Sequence, residues 1–333
     1  MAKLPEIASL WIGGQLSWLE QLCLVSFAHA GHKVTLYSYS PIPNCPAEVE
    51  QLPADPIFAA EPMLRHARTG SPAIHADLFR LNMLQHTGKI WVDADMYCYQ
   101  PFDFQNPHVF GWEKPGLVCN AVLGLPKDSE ALGNMLEFFK DEYAIAPWLK
   151  PWQQRELEAE RDAGNPVHMT AQNWGFTGPE AVTHFLKESG EIKFAQPEAA
   201  FYPISFRHRN HMIKKRFDVA GQLGSDTYGV HFWARRMKPR LEEKEGGSPD
   251  AGSFMADAVM RHGIVCDDAP IPRKIVKQDP RAKDAKFLAD LALEGLGTDA
   301  SPEAIARKHN VEPKLVREAI ATLQSGAASL FKR

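Results

Sequence analysis

Two aspartates, Asp93 and Asp95, close a short apolar run, Ile90-Trp91-Val92. Carboxylates at that spacing offer oxygen ligands to a hard divalent cation such as Mg²⁺ or Mn²⁺. The run reads as a short buried strand, and open α/β sheets bind ligands beyond the carboxyl ends of their strands. Alone, Asp-Ala-Asp is equally a polar turn that caps a strand. A second pair adds to it. Asp77 and Arg80 lie three apart, on one face of a helix whose Leu78, Leu81 and Leu84 can face a core. Helix and strand together set four charged residues near one edge.

The elements that must position them begin with a β-α-β unit. Ile7 to Ile12 reads as a strand ending at Gly13-Gly14, and Ser17 to Glu20 as a capping box for a helix that runs to about Ala30 and stops at Gly31. Lys33 to Tyr39, rich in Val, Thr, Leu and Tyr, is the second strand. That order implies parallel pairing through a right-handed crossover. Residues 41–70 read as loops with a short helix. Ser71-Pro72 opens the helix that carries Asp77 and Arg80 and ends at Gly88. Further on, Val118 to Leu125 reads as a strand, Ser129 to Glu142 as a helix, Gln153 to Asp162 as an exposed helix, Asn165 to Gly178 as loop, Pro179 to Ser189 as a helix and Gly229 to Trp233 as a strand. The composition changes near residue 275, where short helices resembling a helix-turn-helix follow. The expected division is a main α/β domain over 1–272 and a helical C-terminal segment over 273–333.

The stretch Ala76-Asp77-Leu78-Phe79-Arg80 … Thr87-Gly88-Lys89-Ile90-Trp91-Val92-Asp93-Ala94-Asp95, followed by Pro101, resembles the sugar-binding region of DXD-containing glycosyltransferases. These are the family-32 enzymes and the glucosylating-toxin catalytic domains. Ser9-Leu10-Trp11-Ile12-Gly13-Gly14-Gln15 resembles the first strand of the same families, and Asn120-Ala121, Thr177-Gly178-Pro179 and His231-Phe232-Trp233 are weaker echoes. Lys89 is a departure, because the family usually has a second glycine there.

The resemblance implies a GT-A fold, a Rossmann-like α/β domain for nucleotide-diphospho-sugar transfer. It implies a donor, UDP-sugar first, whose uracil stacks on Trp11 beside Ile12 and Gly13. Asp95 would ligate Mn²⁺ or Mg²⁺, and Asp93 would reach the metal through water or bind the donor ribose. Asp77 and Arg80 would hydrogen-bond the hydroxyls of the sugar, with Asn120 on the donor as well. His231 is implied as a third metal or diphosphate contact, or is a structural histidine. Trp233 is implied as an N–H donor to the leaving phosphate, or is packing. The implied acceptor is a glycan or a lipid-linked glycan, and the implied stereochemistry is retention.

Other chemistry is readable. A haloacid-dehalogenase-like phosphatase also places DxD after a strand, with a later Asp pair that Cys266-Asp267-Asp268 after Gly263-Ile264-Val265 could supply. Against it, the first motif is not on an N-terminal strand and Met96-Tyr97 offers no serine or threonine at the expected place. From Arg273 to Arg333 there are twelve Lys or Arg against eight Asp or Glu, a local charge of +4 that suits DNA or a protein partner. Arg207 to Arg216 holds five Lys or Arg, two His and no acid, which reads as a solvated loop or as a peripheral contact with an anionic membrane.

Composition bounds these readings. The 333 residues are 44% hydrophobic and 23% charged, typical of a globular chain with a real core. No apolar run reaches the roughly 18 residues of a membrane span. The N-terminal stretch lacks a secretory pattern. Cys23, Cys45, Cys98, Cys119 and Cys266 are scattered without CxxC spacing, which argues against a disulfide scaffold or zinc ribbon and for a reducing compartment. A net charge of −4 argues against a dedicated nucleic-acid binder. The expectation is a cytoplasmic enzyme, with peripheral attachment to the inner face of the membrane as its extension.

Overall fold

The structure, a computed structural model, describes residues 4–272, 284–298, 300–309, 311 and 313–330. It divides into two compact units, with the boundary after Pro272. The first is mixed α/β. Its elements in order are β1 (Ile7–Trp11), α1 (Trp18–His29), β2 (Val34–Ser38), β3 (Val49–Pro53), α2 (Ala73–Thr87), β4 (Ile90–Val92), β5 (Met96–Cys98), β6 (Val109–Lys114) and β7 (Leu117–Gly124). There follow α3 (Glu130–Phe138), α4 (Pro151–Asp162), α5 (Ala181–Glu188), α6 (Glu198–Phe201), β8 (Gly229–His231), α7 (Ala234–Lys244) and α8 (Phe254–Arg261).

Six strands form a Rossmann-like sheet in the order β3-β2-β1-β4-β7-β6. β1 to β4 run parallel, and β7 is antiparallel to both β4 and β6. The chain builds outward from β1 to β3, then returns to the other side of β1 with β4. That reversal is a switch point, where neighbouring loops diverge and leave a crevice beyond the strand ends. Trp11 ends β1 there and Asp93 follows β4.

Alternation along the strands supplies a core on each face. Ala8, Leu10, Tyr37 and Trp91 point into one cluster with Phe79, Leu84 and Phe176. Ile7, Leu36, Ile90 and Val92 point into the other with Phe27, Phe102 and Phe201. A third cluster joins α1, α7 and α8 through Trp18, Tyr97, Phe232, Met237 and Met255, beneath a small sheet in which β5 pairs antiparallel with β8.

The helix that carries Asp77 ends at Gly88, whose φ of 69° is a left-handed cap that suits a residue without Cβ. Lys89 has no such requirement. Its ammonium donates to Thr35 Oγ1 at 2.7 Å and lies near Glu6, so the lysine ties β4 to β2 where a glycine could not.

Several elements depart from expectation. Residues 41–70 hold β3 in place of a helix; its Val-Glu-Gln-Leu-Pro carries no apolar run because an edge strand buries little. β5 and β6 were not foreseen, being three residues long and glycine-interrupted respectively. α3 stops at Phe138 rather than Glu142, and Pro72 rather than Ser71 caps α2. Gly263 to Val265 forms no strand, and Asp267 and Asp268 sit in a short 3₁₀ turn.

The second unit contains α9 (Ala285–Gly297), α10 (Pro302–His309) and α11 (Pro313–Leu330), packed through Leu291, Ala292, Ile305, Ala306, Val316 and Ala319. Its cations Lys308 and Arg317 are paired with Glu294 and Glu303. Among the described residues no helix is long and apolar enough to cross a membrane. The basic stretch is less free than a solvated loop. Lys214 is held by Glu245 and Asp250, Arg209 lies over the Phe206 ring, and Met212 and Ile213 are buried.

Phe79 is fully buried, with its ring 5.4 Å from Tyr37 and 6.2 Å from Trp91. Phe79→Ala is expected to remove about 3–5 kcal/mol of stability, read as an earlier main transition in urea unfolding followed by circular dichroism.

Candidate active site

The four charged residues of α2 and β4 meet at one edge of a cleft of about 780 Å³. Arg80 joins them. Its side chain is 5% exposed, one nitrogen donating to Asp77 Oδ1 at 3.0 Å and the other to Asp93 Oδ1 at 2.8 Å. Its guanidinium lies 4.6 Å from the Trp91 ring centre, and the Trp91 indole donates to the same Asp93 oxygen at 2.7 Å. Both Trp91 and Asp93 therefore belong to the strand end, and α2 delivers the cation to them.

Asp77 is held from two further directions. Asn120 on β7 donates to its Oδ1 at 2.9 Å, and Thr177 donates to its Oδ2 at 2.7 Å. Gly178 packs closely here: a Cβ would lie 3.0 Å from Asn120 Nδ2 and 3.1 Å from Asp77 Oδ2 and would crowd both. Burial pushes the Asp77 carboxyl above its ordinary value, against the opposing pull of the Arg80 charge and the Thr177 hydroxyl.

Asp95 is fixed by a distant segment. The β5–β8 register sets Met96 opposite His231, which carries the imidazole Nε2 to 3.1 Å from Asp95 Oδ1. The Phe232 N–H donates to the Asp95 carbonyl at 2.9 Å, and the Ala234 N–H donates to Oδ2 at 2.7 Å. Between them Trp233 adopts φ 56°, the one non-glycine residue among those described with a positive φ. Burial works to raise the Asp95 carboxyl, but the His231 charge and hydrogen bond and the Ala234 N–H hold it below the usual range. Burial likewise works to lower the His231 imidazole, yet the Asp95 carboxylate holds it above its usual value.

The ligand atoms of Asp93, Asp95 and His231 all lie within 4.8 Å of one another, the one such group of three among the described residues. Two carboxylate oxygens and an imidazole nitrogen at that separation fit a single divalent cation. Asp267 and Asp268 do not line this cleft, so a phosphatase's second acidic pair is not assembled around Asp93.

The remaining expected residues divide. Trp11 lines the cleft, with Lys238 Nζ 5.4 Å from its ring centre; Lys238 is anchored in turn by the buried Glu20 at 2.8 Å. Ile12 instead packs against the core, and neither Ile12 nor Gly13 lines the cleft. A Cβ on Gly13 would lie 3.3 Å from the Trp11 indole nitrogen, so the residue sits against that ring. Trp233 lines the cleft, but its indole donates to the Ile204 carbonyl at 3.2 Å, so that N–H is already spent.

Sequence reasoning missed the other wall. His66, Arg68, Trp174, Arg235 and Arg236 line the same cleft from three separate segments. The one sequence signal was Arg235-Arg236, two residues beyond Trp233; nothing in the spacing links these residues to His66 or Trp174.

No protein-family model and no curated protein matches this chain. Among solved structures it is similar to one described as "PaToxG Glycosyltransferase", at 14% identity, covering 57% of this chain and 72% of that one, with a TM-score of 0.37. A score of that size leaves the function to be read from the site's own residues.

Removing Arg80 would leave Asp77 and Asp93 facing each other uncompensated. Arg80→Met is expected to cost about 3–5 kcal/mol in urea unfolding, and adding Asp77→Asn should restore part of the loss by removing one stranded charge.

Proposed function

We propose that residues 1–272 form a metal-dependent glycosyltransferase of the GT-A type that moves a sugar from a nucleotide-diphosphate donor, UDP-linked first, to an acceptor hydroxyl, with residues 273–333 as a helical appendage. The observation that carries the reading is the convergence of Asp93, Asp95 and His231 on one cation-sized position at the switch point, beside the Asp77–Arg80 pair. It agrees with the DXD resemblance of Ala76 to Asp95.

Asp93, Asp95 and His231 would hold Mn²⁺ or Mg²⁺. When bound, that ion supplies a Lewis acid for the negative charge that grows on the departing diphosphate. The chain's own residues do the rest. Asp77 has spent one oxygen on Arg80 and Asn120, so its Oδ2, shared with Thr177, is the atom left to accept from a sugar hydroxyl. Arg80 acts indirectly, because its side chain is only 5% exposed and is drawn to the two carboxylates, and its part is to fix Asp77 and Asp93. The Trp11 ring offers a stacking surface to the base, and Asn120, which lines the cleft, holds Asp77 with one N–H and keeps its amide oxygen for the donor. A new bond forms from the acceptor oxygen to the anomeric carbon as the bond to the diphosphate oxygen breaks, and the hydroxyl proton leaves with the diphosphate. Retention would follow from attack on the face from which the diphosphate departs.

Donor hydrolysis with Mn²⁺ across UDP- and GDP-sugars is the direct test. Turnover of at least one donor, abolished by chelator and by Asp95→Ala, is expected; turnover indifferent to both would sink the mechanism. A second check uses the pH dependence of Mn²⁺ binding, followed by calorimetry. Coordination needs neutral His231, and the protonated form is favoured by Asp95. Affinity should therefore rise with pH through a midpoint above about 6.5, and His231→Gln should flatten the curve.

A further inference from the structure

The second wall of the cleft is built differently from the first. His66 is 3% exposed and neither ring nitrogen has a hydrogen-bond partner, although the residue lines the cleft. A buried polar side chain is rarely left unpaired, and where one faces a cavity a ligand atom is the natural partner. Its ring centre lies 5.7 Å from that of Trp174, which is 43% exposed. The Arg235 guanidinium covers Trp174 at 3.6 Å from the ring centre. Arg68 joins from the loop that carries His66, and Arg236 follows Arg235. None of these three arginines pairs with a carboxylate among the described residues, and all three line the cleft.

This wall adjoins the sugar end of the proposed donor site. Thr177, three residues after Trp174, donates to Asp77 at 2.7 Å, and the His66 backbone N–H donates to the Ser71 carbonyl at the entry to α2. A donor with its diphosphate at Asp95 and its sugar at Asp77 leaves His66, Trp174, Arg68 and Arg235 facing whatever attacks the sugar. Unpaired guanidinium groups select phosphate oxygens by forked, charge-assisted hydrogen bonds. An exposed indole beside them offers a face to a sugar ring or a prenyl chain.

We propose that His66, Arg68, Trp174 and Arg235 form an acceptor subsite that recognises a phosphate group on the acceptor. The assignment of this wall to the acceptor rests on the transferase reading; the recognition of phosphate rests on the wall alone. The chemistry is shared by a phosphorylated sugar and by a prenyl-diphosphate carrier, and the test separates them.

The full-length chain is titrated in chelator, so that no metal-dependent diphosphate site contributes, and quenching of tryptophan fluorescence is followed. The probes are glucose 6-phosphate and citronellyl diphosphate, with glucose and citronellol as their neutral counterparts. At least one phosphate compound should bind about tenfold or more tightly than its neutral counterpart, and the tighter of the two names the source. The exposed-residue variants Arg68→Ala and Arg235→Ala should each weaken that binding several-fold. UDP binding in Mn²⁺, measured in parallel, should stay within about twofold of the parent. Equal binding of charged and neutral probes overturns the proposal. So does loss of UDP binding in step with the phosphate probe, because the arginines would then serve the donor. If UDP with Mn²⁺ fails to bind even the parent chain while the phosphate probe still does, the transferase reading falls, the assignment to an acceptor falls with it, and the phosphate site stands.

Discussion

One buried guanidinium organises the site. Arg80 reaches from α2 to the end of β4 and neutralises a carboxylate on each, with its side chain 5% exposed. Two carboxylates brought this close and removed from water would repel, and a buried cation without them would carry an uncompensated desolvation cost. Each therefore makes the others tolerable. The same arrangement extends outward, since Asp77 holds Asn120 on β7 and Thr177 in the turn before α5. The docking of α2 on the sheet, the position of β7 and the Thr177 turn all meet at one ionic centre.

Asp95 belongs to a second system with a different origin. Its partners come from residues 231–234, and they arrive because β8 pairs with β5. The chain then turns sharply through Trp233 in the left-handed region, which for a bulky residue costs on the order of 1–3 kcal/mol. Flanking hydrogen bonds to Asp95 and the indole bond to Ile204 oppose that strain. The turn aims the Ala234 N–H at the carboxylate and starts α7 with Arg235 and Arg236 on the cleft. Strain is thus held where it assembles two walls of the same crevice.

How legible this was in the residues depends on distance along the chain. The α2–β4 hairpin could be read because its determinants are local. Helical spacing puts Asp77 and Arg80 together, Gly88 ends the helix, and a three-residue apolar run marks the strand. β3, β5 and β6 were not legible. β3 is an edge strand with little apolar content, and β5 and β6 are short or broken by glycine, so each is a strand because of its neighbours. Ile12 and Gly13 were expected at the donor, but the strand's alternation turns Ile12 toward the core. The Trp233 indole was read as a phosphate donor or as packing, and a carbonyl 29 residues earlier takes its N–H.

The sequence by itself determined the α/β class, the first β-α-β unit and the presence of a carboxylate pair at a strand end, because periodicity, caps and short spacing act within a turn or two of backbone. Only the tertiary structure decided that Arg80 spends its hydrogen bonds on Asp77 and Asp93, and that His231 reaches Asp95 from 136 residues away. It also decided that His66, Trp174 and Arg235 share a wall. Those outcomes depend on strand register and on the competition among buried polar groups for partners, and both are settled when the elements pack.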